Sequence, residues 1–453
     1  MTFKRVLIAN RGEIAVRVAR ACAALGVQSV AVVSSADRGS LVTQVADEVL
    51  CIGPAPSRDS YLNISALVAA AKYSGSDAVH PGYGFLAEEP SFVEACTDAG
   101  LTFIGPPASV MRQVGNKLAA RALAQEVGVP VAPGSVAVRT EAAANRIAAE
   151  VGYPVLIKAA SGGGGRGMRV VHSSAQLGPE LQTASAEALS AFGDGTVYLE
   201  RYIENARHVE VQLLGDGHGH LVHLWDRDCS IQRRYQKIVE EAPVTALPDH
   251  LREEILSSAV RLGRAAGYQN AGTVEFIVDM EREAYYFLEI NARVQVEHPV
   301  TEAVTGVDIV ANQIRIASGE GLGISQDEVQ VDGHAVEARI NAERVPGFSP
   351  SPGRLSRWEP PASERLRVDT HCFPGYLVPP YYDSLLAKVI GHDTDRPHAI
   401  AALGAGLANL VVAGVETTLP FMRHILGQRE FRENAFNTAW LPHVIEDFSE
   451  KIR

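Results

Sequence analysis

The sequence predicts an α/β protein whose later part turns to α+β. Three observations carry that expectation. Residues 5–34 read as strand, helix, strand, the start of a parallel sheet. Past a Pro- and Gly-containing stretch at 129–135, "VPVAPGS", the pattern changes to runs of alternating strands with turn signals. Composition is that of a globular chain: 453 residues, 46% hydrophobic and 21% charged, enough for two to four domains or one large composite unit.

Taken in order, "RVLIA" (5–9) is a short apolar strand. "EIAVRVARACAAL" (13–25) has helical spacing at Ile14, Val18, Ala21, Cys22 and Leu25, and Gly26 supplies the stop. "SVAVVS" (29–34) is the next strand, and "DAVHPGYG", a helix near 90–99 and "LTFIGP" continue the series. The strand-to-helix link is "ANRGE", so the G-x-G-x-x-G dinucleotide fingerprint is absent there. Beyond 135, "YPVLIKAA" and "MRVVHS" flank "SGGGGRG". "HVEVQLL", "TVEFIVD", "YYFLEIN" and "HAVEARIN" read as strands of an antiparallel region, and residues near 400–445 as mostly helical.

The net charge of −12 argues against general nucleic-acid binding. No run of 18 apolar residues exists, so no membrane span is expected. The five scattered cysteines form no CxxC pair, which favours a reducing compartment over a disulfide scaffold. The first 26 residues read as a core strand and helix better than as a transit peptide, so a cytoplasmic protein is expected.

"KAASGGGGRGM" (158–168) is a glycine-rich turn between strands, with Lys158 entering it and Arg166 within it. It is either a flexible hairpin or a flap whose amides approach phosphate. Four consecutive glycines flanked by cations favour the phosphate, although the Walker pattern is absent. Glu275 and Glu289 lie at equal distance from Arg282. A symmetric hairpin would set them opposite each other, where like charges repel unless a cation such as Mg²⁺ lies between. Asn291 can add an oxygen; the alternative is a solvated edge face. "RDCSIQRRYQKIVEEAP" (227–243) is either a basic helix or loop balanced by Glu240 and Glu241, or an anion clamp using Arg227, Arg233, Arg234 and Lys237. In an extended chain Glu289, Asn291, Arg293, Gln295 and Glu297 would share one face. Strand alternation likewise groups His208, Glu210 and Gln212, and Glu337, Arg339 and Asn341. A lone strand Arg is usually a surface ion pair. "HPGYGFLAEE" (80–89) reads as architecture.

Together these stretches, with "LIANRGEIAVRVARA", "EINARVQVEHPVTE" and "PPYYDSLLAKVI", resemble the biotin carboxylase component of biotin-dependent carboxylases, within the ATP-grasp superfamily. The resemblance covers about residues 1–445. It implies an N-terminal Rossmann-like pre-ATP-grasp domain (1–113), an ATP-grasp domain (114–330) with a mobile lid at about 131–203, and a C-terminal biotin carboxylase domain (331–446). It implies that Lys117, Lys158 and the flap Gly162, Gly163, Gly164 and Gly165 meet ATP phosphates. Glu200, Arg201 and Ile203 would line the adenine pocket, with His208 and Gln232 near ribose or phosphates. Glu275, Glu289 and Asn291 match the metal positions for Mg²⁺ or Mn²⁺. Lys237, Arg293, Gln295 and Val296 match the bicarbonate pocket, Glu297 the base, and Arg339 the group beside biotin. The family leaves regular strand after the residue matching Asn291. It often has His where this chain has Tyr235, a side chain that still donates a hydrogen bond but does not charge near neutral pH.

The implied activity is ATP-dependent carboxylation of biotin by bicarbonate through carboxyphosphate. No A-M-K-M-like attachment sequence is present, so biotin is expected on a separate biotin carboxyl carrier protein, with a carboxyltransferase subunit completing the reaction. Relatives are commonly homodimers. The final acceptor is read as acetyl-CoA or propionyl-CoA, with pyruvate, urea or another ATP-grasp ligase activity as alternatives.

Overall fold

The computed structural model describes residues 3–135, 137–138, 140–160 and 168–451. Strands β1 (Arg5–Ile8), β2 (Gln28–Ser34), β3 (Glu48–Gly53), β4 (Ala78–His80) and β5 (Thr102–Phe103) make a parallel sheet in the order β3-β2-β1-β4-β5. β1 runs on Val6, Leu7 and Ile8, all fully buried, as a strand covered on both faces requires. The helix Gly12–Ala24 follows it and packs Ile14, Val18 and Cys22 inward.

Residues 138–199 share a core of their own, built from Val138, Ala148, Ile157, Leu177 and Leu199 among others. There β6 (Val155–Ala159) pairs antiparallel with β7 (Arg169–Val171) and β8 (Val197–Arg201). The glycines expected over phosphate, Gly162 to Gly165, lie outside the described residues.

Among the described residues the largest sheet has eight strands. They are β9 (Ala206–Gly215), β10 (Leu221–Arg233), β11 (Gln236–Ala242), β12 (Asn270–Asp279), β13 (Ala284–Asn291), β14 (His334–Asn341), β15 (Leu366–Thr370) and β16 (Leu385–Asp393). Their order is β13-β12-β9-β10-β11-β14-β16-β15, antiparallel at every pair. This sheet spans the expected boundary at residue 330, and one apolar core joins Ile231 and Val239 to Val336, Leu386 and Leu403. The last part is helical over Arg396–Asn409, Leu419–Gly427 and Leu441–Lys451, as the pattern predicts. Among the described residues no helix is long and apolar enough to cross a membrane.

Two local expectations change. The stretch 227–243 is neither helix nor loop. It is the end of β10, a two-residue turn and β11, with Arg233 paired to Gln236. Arg234 and Tyr235 hold positive φ of 49° and 66°, the backbone of a type I′ hairpin made without glycine. The β12–β13 hairpin is not symmetric about Arg282 either. Asp279 pairs with Ala284, and a register shift between Glu275 and Phe276 restores the Glu275–Glu289 pair. The pair was anticipated, but a bulge, not hairpin symmetry, produces it.

Candidate active site

Register across four strands lays down a row of charge. Arg227 on β10 pairs with Glu210 on β9, Glu210 with Glu275 on β12, and Glu275 with Glu289 on β13. Three neighbouring carboxylates repel, so the row exists only because cations flank it. Arg227 is fully buried and donates to Glu210 at 2.5 Å, and to Gln212, Thr301 and Thr273. It therefore serves the sheet interior and not an anion clamp. Lys237 Nζ donates to Glu210 (2.5 Å), Glu275 (2.9 Å) and Glu297 (2.7 Å). His208 Nε2 stands 3.0 Å from Glu275, and its Nδ1 meets Gln232 Nε2 at 2.7 Å. Lys117, at the start of the helix Lys117–Glu126, reaches Glu289 at 3.0 Å. Burial opposes charging of Lys237, but Glu210, Glu275 and Glu297 overcome it and hold the ammonium well above its usual range.

Past Asn291 the chain leaves the strand, so the polar alternation of residues 291–297 is no longer that of a sheet face. Gly272 helps fix this exit. A Cβ there would fall 1.9 Å from the Tyr268 hydroxyl, whose proton is shared between the Ala271 carbonyl at 3.1 Å and the Asn291 carbonyl at 3.3 Å. The turn then folds back on the acidic row. Asn291 Nδ2 and Gln295 Nε2 both donate to Glu275 Oε1, at 3.0 and 3.3 Å. Arg293 donates to Asn291 Oδ1 (3.1 Å), Gln295 Oε1 (2.6 Å) and Glu88 Oε2 (2.7 Å). The Val296 carbonyl accepts from Lys388 at 2.9 Å. Glu297 stands just before the helix His298–Thr305, with Pro299 in its first turn, where the helix dipole favours a carboxylate.

Glu297 is 1% exposed. Its second oxygen accepts from Arg339 Nη2 at 2.7 Å, and the same guanidinium contacts Glu240. Arg339 is thus a half-buried bridge between two buried carboxylates, not the surface pair a lone strand Arg suggests. Burial by itself would raise the Glu297 carboxyl. Lys237, Arg339 and Arg227 reverse that and hold it well below the usual range, so it is anionic. Glu240 shows the opposite balance: burial outweighs Arg339 and pushes it up to about 7. Glu337, its cross-strand partner, is pushed well above the usual range by burial, with Glu240 adding to the shift.

Of the remaining candidates, Lys158, Glu200, Arg201 and Ile203 lie on or just after β6 and β8, and Tyr235 lies at the β10–β11 turn. Lys158 is buried on β6, 3.1 Å from Glu200, with its ammonium 5.6 Å from the centre of the Tyr198 ring. Glu200 also takes Arg121 at 2.5 Å. Arg201 donates to the Val151 carbonyl, and Ile203 is buried. Tyr235, at the hairpin tip, is 46% exposed; burial raises its phenol, Tyr202 adds to the shift and Lys158 opposes it.

Several participants were not singled out from sequence. Glu88 belongs to the stretch read as architecture, yet it holds both the Ala292 amide (2.9 Å) and Arg293. Glu210 was grouped with His208 by alternation, but nothing local reveals its place beside Glu275. Lys388 and Glu240 carried no signal beyond their residue types. Among the described residues, the donor groups close enough to share one metal ion are His208–Glu210–Glu275 and Glu210–Cys229–Glu297. The Lys237 ammonium already fills the space between those carboxylates.

Comparison with known proteins follows the same layout. Residues 2–111 match the family model for the biotin carboxylase N-terminal domain. Residues 116–325 match the carbamoyl-phosphate synthase L chain ATP-binding domain, and 337–443 the biotin carboxylase C-terminal domain. Biotin carboxylase 1 of Bacillus subtilis (strain 168) is 49% identical over 97% of this chain and 98% of its own. The Campylobacter jejuni biotin carboxylase–β-γ-ATP complex superposes with a TM-score of 0.95 at 44% identity, over 97% of this chain and 99% of that one. The biotin carboxylase domain dimer of Hydrogenobacter thermophilus 2-oxoglutarate carboxylase, in complex with MgADP, ADP and bicarbonate, gives 0.94 at 45% identity, over 98% and 99%. The chain belongs to the biotin carboxylase family and is an ATP-dependent carboxylating ligase.

Proposed function

We propose that this member of the biotin carboxylase family carboxylates biotin borne on a separate carrier protein, as the first half-reaction of an acyl-CoA carboxylase acting on acetyl-CoA or propionyl-CoA. The observation that carries the reading is the convergence of Lys237 and Arg339 on the two oxygens of Glu297, at 2.7 Å each, beside the Arg293 turn. Two cations shared between one buried carboxylate and its acidic neighbours form a site that an incoming anion can enter by exchanging partners.

Bicarbonate binds against Lys237, Arg293, Gln295 and the Val296 amide, and attacks the γ-phosphoryl of ATP. The products are carboxyphosphate and ADP. Phosphoryl transfer depends on positioning and charge neutralisation more than on covalent help. Lys117 and Lys158 supply positive charge at the phosphates, and Glu200, Arg201, Ile203, His208, Gln232 and Tyr235 hold the rest of the nucleotide. Glu297, anionic when paired, takes the bicarbonate proton. Its affinity for that proton rises as Lys237 and Arg339 turn toward the substrates. Carboxyphosphate gives CO₂ and phosphate; the phosphate takes the N1′ proton of biotin, Arg339 stabilises the charge left on the ureido oxygen, and N1′ bonds to CO₂. Water exclusion by a lid drawn from residues about 131–203 protects carboxyphosphate.

The donor set suits an oxygen-preferring divalent cation. Glu275 and Glu289 face each other across β12 and β13, Asn291 adds an amide oxygen, and Glu289 is the partly exposed end of the acidic row. Mg²⁺ or Mn²⁺ held there supplies charge neutralisation of the ATP phosphates.

The domain limits 1–113, 114–330 and 331–446, a homodimer, a cytoplasmic setting, a biotin carboxyl carrier protein and a carboxyltransferase subunit complete the reading. Its test is ADP release by the purified chain with Mg²⁺, with and without bicarbonate and free biotin. Stimulation that requires both supports it. Release indifferent to bicarbonate overturns it.

A further inference from the structure

We propose that Lys388 is a positioning residue that tethers the turn carrying Gln295, Val296 and Glu297 to the first helix of the N-terminal sheet. The inference rests on the bicarbonate pocket proposed above and adds a residue that lies outside it.

Lys388 lies on β16, between β14 and β15, and its side chain is 0% exposed. A lysine in such a place costs several kcal/mol unless its charge is paired, while methionine would fill the same volume without that cost. Its three contacts come from three different parts of the chain. Glu13 Oε1, in the first turn of the helix Gly12–Ala24, is 3.0 Å from the ammonium. Asp369 Oδ2 on β15 is 3.8 Å away. The Val296 carbonyl accepts its hydrogen bond at 2.9 Å. Glu13 is itself held by the hydroxyl of Tyr83.

Val296 belongs to neither strand nor helix, so regular structure does not orient its peptide groups. The side chains of the turn, Arg293, Gln295 and Glu297, bind the acidic row, Glu88, Lys237 and Arg339. The Val296 carbonyl is instead held by Lys388. Fixing that carbonyl restricts the peptide that joins Val296 to Glu297 and limits rotation of the adjoining groups. The ammonium reaches no reacting atom; it acts through the turn.

The test is the charge-balanced double variant Glu13→Gln/Lys388→Met, run beside Glu297→Gln in the full chain. Bicarbonate- and biotin-dependent ADP release gives KM for bicarbonate and for ATP separately. The expected result is a rise of about tenfold in KM for bicarbonate, as for loss of a hydrogen bond from a charged donor, with KM for ATP within about twofold. Amide hydrogen exchange should quicken at residues 293–297 and not across the sheet. Equal changes in both KM values, or neither changing while Glu297→Gln abolishes turnover, overturns the role of Lys388 and leaves the pocket standing. Full turnover by Glu297→Gln overturns the pocket, and the tether with it. Should the double variant fail to fold, Glu13→Asp shortens the tether and keeps its charge. Selective loss of bicarbonate affinity there supports the proposal, and unchanged constants overturn it.

Discussion

The β12–β13 hairpin and the turn that follows it supply the two halves of the candidate site by opposite means. Strand pairing, with the bulge between Glu275 and Phe276, puts Glu275 opposite Glu289, and unbroken register puts Glu210 opposite Glu275. The turn 292–297 has no register. Its geometry comes from side chains far away in sequence: Glu88 on Arg293, Lys237 and Arg339 on Glu297, and Lys388 on Val296. A sheet places carboxylates side by side at fixed intervals, where only a cation between them relieves repulsion, which suits a cation site. A turn clamped by ion pairs keeps its cations exchangeable, which suits an anion that must displace a partner.

That contrast is tested most severely at Glu297. Glu297→Gln should lower bicarbonate-dependent turnover by about 10²–10⁴-fold, the usual range for a lost general base, with KM for ATP within about threefold. Loss of ATP affinity instead would assign Glu297 to the nucleotide half. Next comes Glu289→Gln, which leaves the turn untouched. It should raise the Mg²⁺ concentration for half-maximal activity on the order of tenfold, read from a metal titration at fixed ATP, with bicarbonate KM constant. Glu88→Gln keeps the shape and removes the charge behind Arg293. Bicarbonate KM should rise about fivefold, the order of a lost charge-assisted hydrogen bond, and the thermal midpoint should barely move.

The smallest effect is on stability. His80 anchors the loop that carries Glu88: it is fully buried, and its Nδ1 accepts from the Gly82 amide at 3.0 Å. Burial, helped by Arg17, lowers it to about 3, whereas an unfolded histidine titrates near ~6.5. Between these values the unfolded chain binds the extra proton. The contribution is therefore intact above pH ~6.5 and shrinks as pH falls toward 3, by about 1 kcal/mol at pH 5.5. His80→Asn keeps an acceptor for Gly82 without titrating. Denaturant midpoints at pH 7.5 and 5.5 should differ less in the variant than in the parent; an equal difference would show that His80 does not titrate this way.

What could be read from sequence follows the range over which each contact acts. The first sheet, the Glu275–Glu289 pair and the helical end are written in local periodicity, and they formed as expected. The hairpin still carried a lesson, because an even turn plus a bulge gives the same pairing as the odd turn first read. Glu88 and Arg293 stand 205 residues apart, and Glu13 and Lys388 lie on opposite ends of the chain. No spacing rule links such positions. "HPGYGFLAEE" reads as architecture because its proline and two glycines signal a turn, and nothing in it says what Glu88 meets.

The sequence by itself determined the first sheet, the alternating strands that carry Glu275 and Glu289, the helical end and the residue types of the site, since a strand period of two and a helix period of 3.6 are properties of neighbouring residues; the 227–243 hairpin and the bulge beside Glu275 were not among them. Only the tertiary structure decided which charges are buried together. Burial and proximity set whether a carboxyl is held down, as at Glu297, or pushed up, as at Glu240 and Glu337. Those are competing energies of desolvation and Coulomb attraction, and neither exists until distant strands have been brought side by side.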